Sequence, residues 1–231
     1  MQVDQPEFWL AVAQIIWINV LLSGDNAVVI ALACRSLAGR ARWWGMALGS
    51  GAAVVLRIVF TGIITTLMTI PYLKIVGAFA LLYIAIDLIR PKAEDAVSVG
   101  ASESLWRAVI TIVVADLVMS LDNVIAIAAV AHGSWIHLII GLGISIPLIV
   151  SGSFLIVTLL DRFPVLMWAG AALLGWIAGE MVASDVAAIA SFGPEAANYE
   201  LPGKVIGAAV VLACGLWLTY GRRPRPSPPP D

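Results

Sequence analysis

Asn19-Val20-Leu21-Leu22-Ser23-Gly24-Asp25-Asn26 and Asp116-Leu117-Val118-Met119-Ser120-Leu121-Asp122-Asn123 sit at matching points of two long apolar stretches, at an offset of 97 from Asp25 to Asp122. Each places Ser, Asp and Asn inside a run that is otherwise Ile, Leu, Val and Ala. The same offset pairs Asn19 with Asp116, Trp9 with Trp106 and Ile30 with Ile127. Further on, Gly49-Ser50-Gly51 meets Gly141-Leu142-Gly143 at an offset of 92, and Pro71/Pro164, Gly77/Gly170 and Asp87/Glu180 pair at 93. Register held over three successive stretches marks an internal duplication.

The surrounding composition says where such a duplication folds. Of 231 residues, 61% are hydrophobic and 12% charged, about half the charge of an ordinary soluble domain. That is too little polar surface to coat a water-soluble globule. A membrane-crossing helix takes about 20 mainly apolar residues. Seven stretches qualify, near 8–33, 43–68, 73–89, 106–131, 135–160, 165–183 and 204–220. The N-terminus has no basic segment ahead of its first apolar run, which therefore reads as a retained helix rather than a cleaved signal. The 13 basic residues are scattered over loops and tail, which excludes a nucleic-acid surface. Cys34 and Cys214 match no metal or redox spacing and read as packing residues.

Basic residues also set the orientation. Arg35, Arg40, Arg42, Arg90, Lys92, Arg107, Arg162, Arg222, Arg223 and Arg225 fall on one side, against Lys74 and Lys204 on the other. The expected fold is all-α: a polytopic membrane protein of seven transmembrane helices, N-terminus outside and C-terminus cytoplasmic. It forms one transmembrane domain over 1–220, with repeat one at 8–90, repeat two at 105–183 and an extra C-terminal helix at 204–220. A disordered, basic, proline-rich cytoplasmic tail follows at 221–231. Because each repeat has an odd number of spans, the second enters from the opposite side, the 3+3 inverted arrangement of transporters. Trp43, Trp44 and Trp135 fall at span ends as interface anchors, and His132 and His137 on the outer loop read as surface or interface residues.

A charge at the bilayer centre costs at least about 2.5–3.5 kcal/mol on insertion scales, so deep charges need compensation. Asp25, Asp87, Asp116, Asp122 and Glu180 face a single deep cation, Arg57. The excess suits a bound dication. The expected ligands are Asp25, Asn26, Asp116, Asp122 and Asn123, with Ser23, Ser120, Asn19, Asp87 and Glu180 as further oxygen donors and Arg57 as counter-ion. Asp87 and Glu180 lie near span ends, where a carboxylate can also simply reach water. Hard oxygen donors favour Mn2+, Mg2+ or Ca2+ over soft metals. Ser23-Gly24-Asp25-Asn26 is poor helix interior, so the first copy is expected to break locally and free carbonyls; Leu121 in place of Gly24 makes the second copy less prone to do so.

These motifs resemble the TerC family of membrane proteins, and the length best fits its shorter, YjbE-like branch. The resemblance covers the chain from the first span to the seventh. It implies Mn2+ efflux, with Mg2+ or Ca2+ less favoured, and Asp25, Asp116 and Asp122 as ion-site residues. It also implies a bacterial cytoplasmic (inner) membrane location. Proton exchange fits carboxylates that lose a metal in a low-dielectric site. The competing reading is a non-transporting membrane partner that loads exported metalloenzymes. No enzyme is expected: intramembrane aspartyl proteases share Gly-x-Gly-Asp, where this chain has Leu22-Ser23-Gly24-Asp25. Lipid and a divalent ion are the expected partners, and a homo-oligomer is compatible with the sequence.

Overall fold

The computed structural model describes residues 6–67, 70–90, 101–131, 134–192 and 198–220. Among them the chain is all-helical: α1 (Pro6–Leu22), α2 (Gly24–Cys34), α3 (Gly39–Leu67), α4 (Leu73–Ile89), α5 (Ala101–Ala131), α6 (Trp135–Arg162), α7 (Val165–Ala183), α8 (Val186–Phe192) and α9 (Glu200–Tyr220). Each of the seven expected stretches carries helix. The tail at 221–231 lies outside the described residues.

Large apolar side chains such as Trp17, Val55, Phe79, Tyr83, Leu155 and Trp217 point outward. Water would penalise that surface; a hydrocarbon surround suits it, and helices satisfy their own backbone there. Among the described residues five helices are long and apolar enough to cross a membrane: Gly39–Ile63, Glu103–Leu121, Trp135–Arg162, Val165–Ala183 and Glu200–Thr219. The pair Phe8–Leu22 and Gly24–Cys34, bent by 57°, makes a sixth if counted as one span. α4 has 17 residues, about 25 Å at 1.5 Å each, somewhat short of a hydrocarbon core of about 30 Å.

The bend between α1 and α2 falls at Ser23, inside the first motif. An unbroken helix would send the Asn26 N–H to the Leu22 carbonyl. Instead it donates to the Asp25 carboxylate at 2.8 Å, and the helix restarts with the Ala27 N–H donating to the Ser23 carbonyl at 2.9 Å. The released Leu22 carbonyl accepts from the Asn123 side-chain amide at 3.1 Å, so the second motif satisfies the break in the first. α5 runs unbroken through Ser120-Leu121-Asp122-Asn123. Leu121 costs a helix about 1 kcal/mol less than a glycine would. Only the first copy breaks.

Packing is crosswise. α3 lies chiefly against α5, α6 against α1 and α2, and α4 against α7. The glycines show how closely. A Cβ on Gly49 would stand 2.6 Å from Ile112 Cδ1, and one on Gly141 would stand 2.5 Å from Ile15 Cγ2. Gly49 and Gly141 are duplicated positions, and so are Ile15 and Ile112, so one helix contact is built twice. α9 docks on α7 by a different small-residue contact: Gly175 faces the Gly207 carbonyl and Gly179 the Gly203 carbonyl, each too close to admit a side chain.

Asp185, absent from the expected site set, is fully buried in the turn between α7 and α8. Its carboxylate accepts from the backbone N–H groups of Tyr72 (2.9 Å), Lys74 (3.0 Å), Ile75 (3.3 Å) and Ala187 (2.8 Å). Three of these are orphan donors at the start of α4, whose own cap residue, the left-handed Tyr72, makes no side-chain capping bond. Asp185 thus caps α4 from the turn after α7 and fixes the joint between α4 and α7.

Candidate functional site

Arg57, from the middle of α3, is 2% exposed. A guanidinium has five N–H donors and does not deprotonate, so burying it requires acceptors on every side. Both motif copies supply them. Nε donates to Ser120 Oγ at 2.9 Å and Nη1 to Ser23 Oγ at 3.3 Å. Nη1 also donates to Asn19 Oδ1, and Nη2 pairs with the Asp116 carboxylate. Ser120 Oγ donates to the other Asp116 oxygen at 3.0 Å, and Ser23 Oγ contacts Asn19 Oδ1 at 3.4 Å. Asn19 and Asp116 are duplicated positions, as are Ser23 and Ser120. The one Arg therefore sits where the two copies meet, held by the equivalent pair from each. Thr61 Oγ1 donates to the Arg57 carbonyl at 2.8 Å.

Beside this network lies a cavity of about 10 Å³ bounded by Asn26, Val29, Ile30, Ile112 and Asp116. That is room for one water-sized occupant. Asn26 is 4% exposed, yet neither its Oδ1 nor its Nδ2 has a partner among the described residues. Buried amides are ordinarily satisfied; this one, in a residue that lines the cavity, keeps its hydrogen-bonding capacity unused. Asp116 lines the same cavity; each of its oxygens has one protein donor and retains a further acceptor direction. Asn19 Nδ2 and Ser50 Oγ are likewise buried without partners.

The expected residues therefore divide. Asn19, Ser23, Asp116, Ser120 and Arg57 form one network, and Asn26 adjoins it across the cavity. Asp25 is half-buried in the first turn of α2, where its charge suits the positive helix end. Asn123 is committed to the Leu22 carbonyl. The Asp122 backbone lies within α5, and its side chain is outside the described residues. Asp87, half-buried in the last turn of α4, is apart from the network. So is Glu180, which pairs with Lys204 of α9 at 3.1 Å beside Glu200. Among the described residues no group of three or more His, Cys, Asp or Glu side chains is placed to hold a metal. His137, expected on an outer loop, lies instead within α6 and is buried against Phe8 at 4.4 Å between ring centres; His132 lies outside the described residues.

Asp185 and Ser50 escaped the sequence reading. Ser184-Asp185 ahead of the short α8 is an N-cap signal, but nothing local reveals that the carboxylate also caps α4. Ser50 looked like part of a glycine packing motif.

A helical membrane protein whose duplicated polar motifs meet around one buried Arg defines the class. The chain belongs to the TerC family: the model described as "Integral membrane protein TerC family" matches residues 4–224. It is 43% identical over 181 residues to the uncharacterized membrane protein YjbE of Bacillus subtilis (strain 168), covering 78% of this chain and 83% of that one. It is 29% identical over 223 residues to YceF of the same organism, covering 92% and 82%. A third similar protein there, YkoY, is 23% identical over 241 residues, covering 94% and 74%. Both are also described as uncharacterized membrane proteins. No solved structure matches the chain significantly.

Proposed function

We propose that this protein is a secondary transporter that exports divalent metal cations, foremost Mn2+, across the bacterial inner membrane. In this reading α1–α4 and α5–α7 are two oppositely inserted three-span units, α9 is the added seventh span, and the C-terminus is cytoplasmic. The crosswise packing and the twice-built glycine–isoleucine contacts support the inversion. The ion enters from the cytoplasm, binds where the motif copies meet and leaves outward as the units rock, with protons returning. Asp25, Asn26 and Asp116 supply oxygens, and Asp122 and Asn123 complete the set from α5. Membership of the TerC family supports the membrane-transport setting.

The observation that carries the reading is Asn26, whose buried amide has no partner among the described residues and which lines, with Asp116, a cavity of about 10 Å³. Its surroundings offer hard oxygen donors, and neither sulfur nor imidazole lines it, which suits Mn2+ or Mg2+ better than copper or zinc. The test is flux of Mn2+, Mg2+, Ca2+ and Zn2+ into liposomes holding the purified protein, with and without a pH gradient. Mn2+ movement is expected, and Asp25→Asn or Asp122→Asn should abolish most of it. If both variants move Mn2+ as wild type does, the site is misassigned. Binding without any flux would favour the metal-loading partner instead.

A further inference from the structure

We propose that Arg57 is a tethered cation that holds the Asp116 carboxylate while no metal is bound and yields it when a divalent cation enters the Asn26–Asp116 cavity. This rests on reading the site as a route for divalent ions, and it adds how the carboxylate is kept between transport events. Three features carry it. First, Asp116 belongs to both environments: it pairs with Arg57 on one side and walls the cavity on the other. Secondly, Arg57 has somewhere to go. Without Asp116 it still donates to Asn19 and Ser23 of the first motif and Ser120 of the second, so it can stay buried without a full loss of partners. Thirdly, Asn26 lines the same cavity and its buried amide has no partner among the described residues, so an arriving ion gains a neutral oxygen as well as the charged one.

The physical argument is electrostatic. A guanidinium and a dication on one carboxylate in a low-dielectric interior repel each other strongly, so the pair and the bound ion compete. An unaccompanied carboxylate this deep would oppose the return of a carrier that has released its ion. Arg57 removes that obstacle because its charge never leaves the protein. Arg57 is thus a positioning residue that competes with the cargo and does not ligate it.

The experiment compares Mn2+ binding to purified full-length wild type, Arg57→Gln and Arg57→Gln/Asp116→Asn, alongside Mn2+ flux in liposomes. Coupling of the usual size predicts that Arg57→Gln binds Mn2+ about fivefold or more tighter than wild type while its flux falls. The double variant should lose that gain. Tighter binding with slower transport is a signature that a merely structural Arg would not give. If wild type transports Mn2+ and Arg57→Gln binds it no tighter, the tethered-cation reading is overturned and the transport reading stands. If wild type neither binds nor moves Mn2+, both fall. Infrared difference spectra of wild type on adding Mn2+ decide the matter should Arg57→Gln not fold. Guanidinium and carboxylate bands should shift as the pair opens, and unshifted guanidinium bands would overturn the proposal.

Discussion

Replacing Asp185 tests the joint between α4 and α7 without touching the polar centre. One oxygen, Oδ1, accepts from Tyr72 and Ala187, and the other, Oδ2, accepts from Lys74 and Ile75. Asp185→Ala removes all four acceptances and leaves the first turn of α4 uncapped. A buried donor left without an acceptor costs about 1–3 kcal/mol. Water can reach some of these partly buried groups, so the net loss should be about 2–4 kcal/mol, in line with a strong cap. Asp185→Asn is informative because it is not a mild change here. Its carbonyl can serve only one pair of donors, and its NH2 then faces the other pair, donor against donor. Asparagine should therefore recover at most half of the alanine deficit. The assay is thermal unfolding in detergent followed by tryptophan fluorescence, with the midpoint for Asp185→Ala falling about 5–10 °C. An Asp185→Asn protein as stable as wild type would show that charge and bifurcated acceptance contribute nothing, and the capping argument would fail.

Two further outcomes are expected. Asp116→Asn leaves Arg57 buried and unpaired, a loss of about 3–5 kcal/mol. Arg57→Gln costs less, because a carboxyl can take up a proton and a guanidinium cannot lose one. Unfolding of both single variants and the double should give a coupling energy above about 0.5 kcal/mol, and simple additivity would refute the pair. At the α7–α9 contact, Gly179→Leu or Gly203→Leu drives a side chain into the facing backbone. α9 should then detach enough for Cys214 to react faster with a bilayer-permeant maleimide, and an unchanged labelling rate would rule out this glycine contact as the docking device.

Much of this protein can be read along the chain. Apolar stretches of spanning length marked seven places, each of which carries helix, because in lipid the backbone must satisfy itself locally; the short α8 lies outside them. The helix break at Ser23 was legible because Ser, Gly, Asp and Asn all disfavour helix interior, whereas Leu121 only made a break in the second copy less certain, and α5 runs through it unbroken. The duplicated register also revealed which residues would be equivalent, and hence that Asn19 would answer to Asp116 and Ser23 to Ser120. What it could not disclose was who meets whom. Charge counting left Arg57 with a choice of five acids, and only the crossing of α3 over α5 assigned it to Asp116 and placed it between both motifs. Asp87 and Glu180 matched in register but lie apart from the centre, since sequence equivalence sets position along a helix and not proximity across the bundle. Asp185 was invisible for the same reason: three of its four partners are more than a hundred residues away. Local composition governs backbone conformation over a few residues, whereas pairing between distant side chains depends on helix crossings that no single segment encodes.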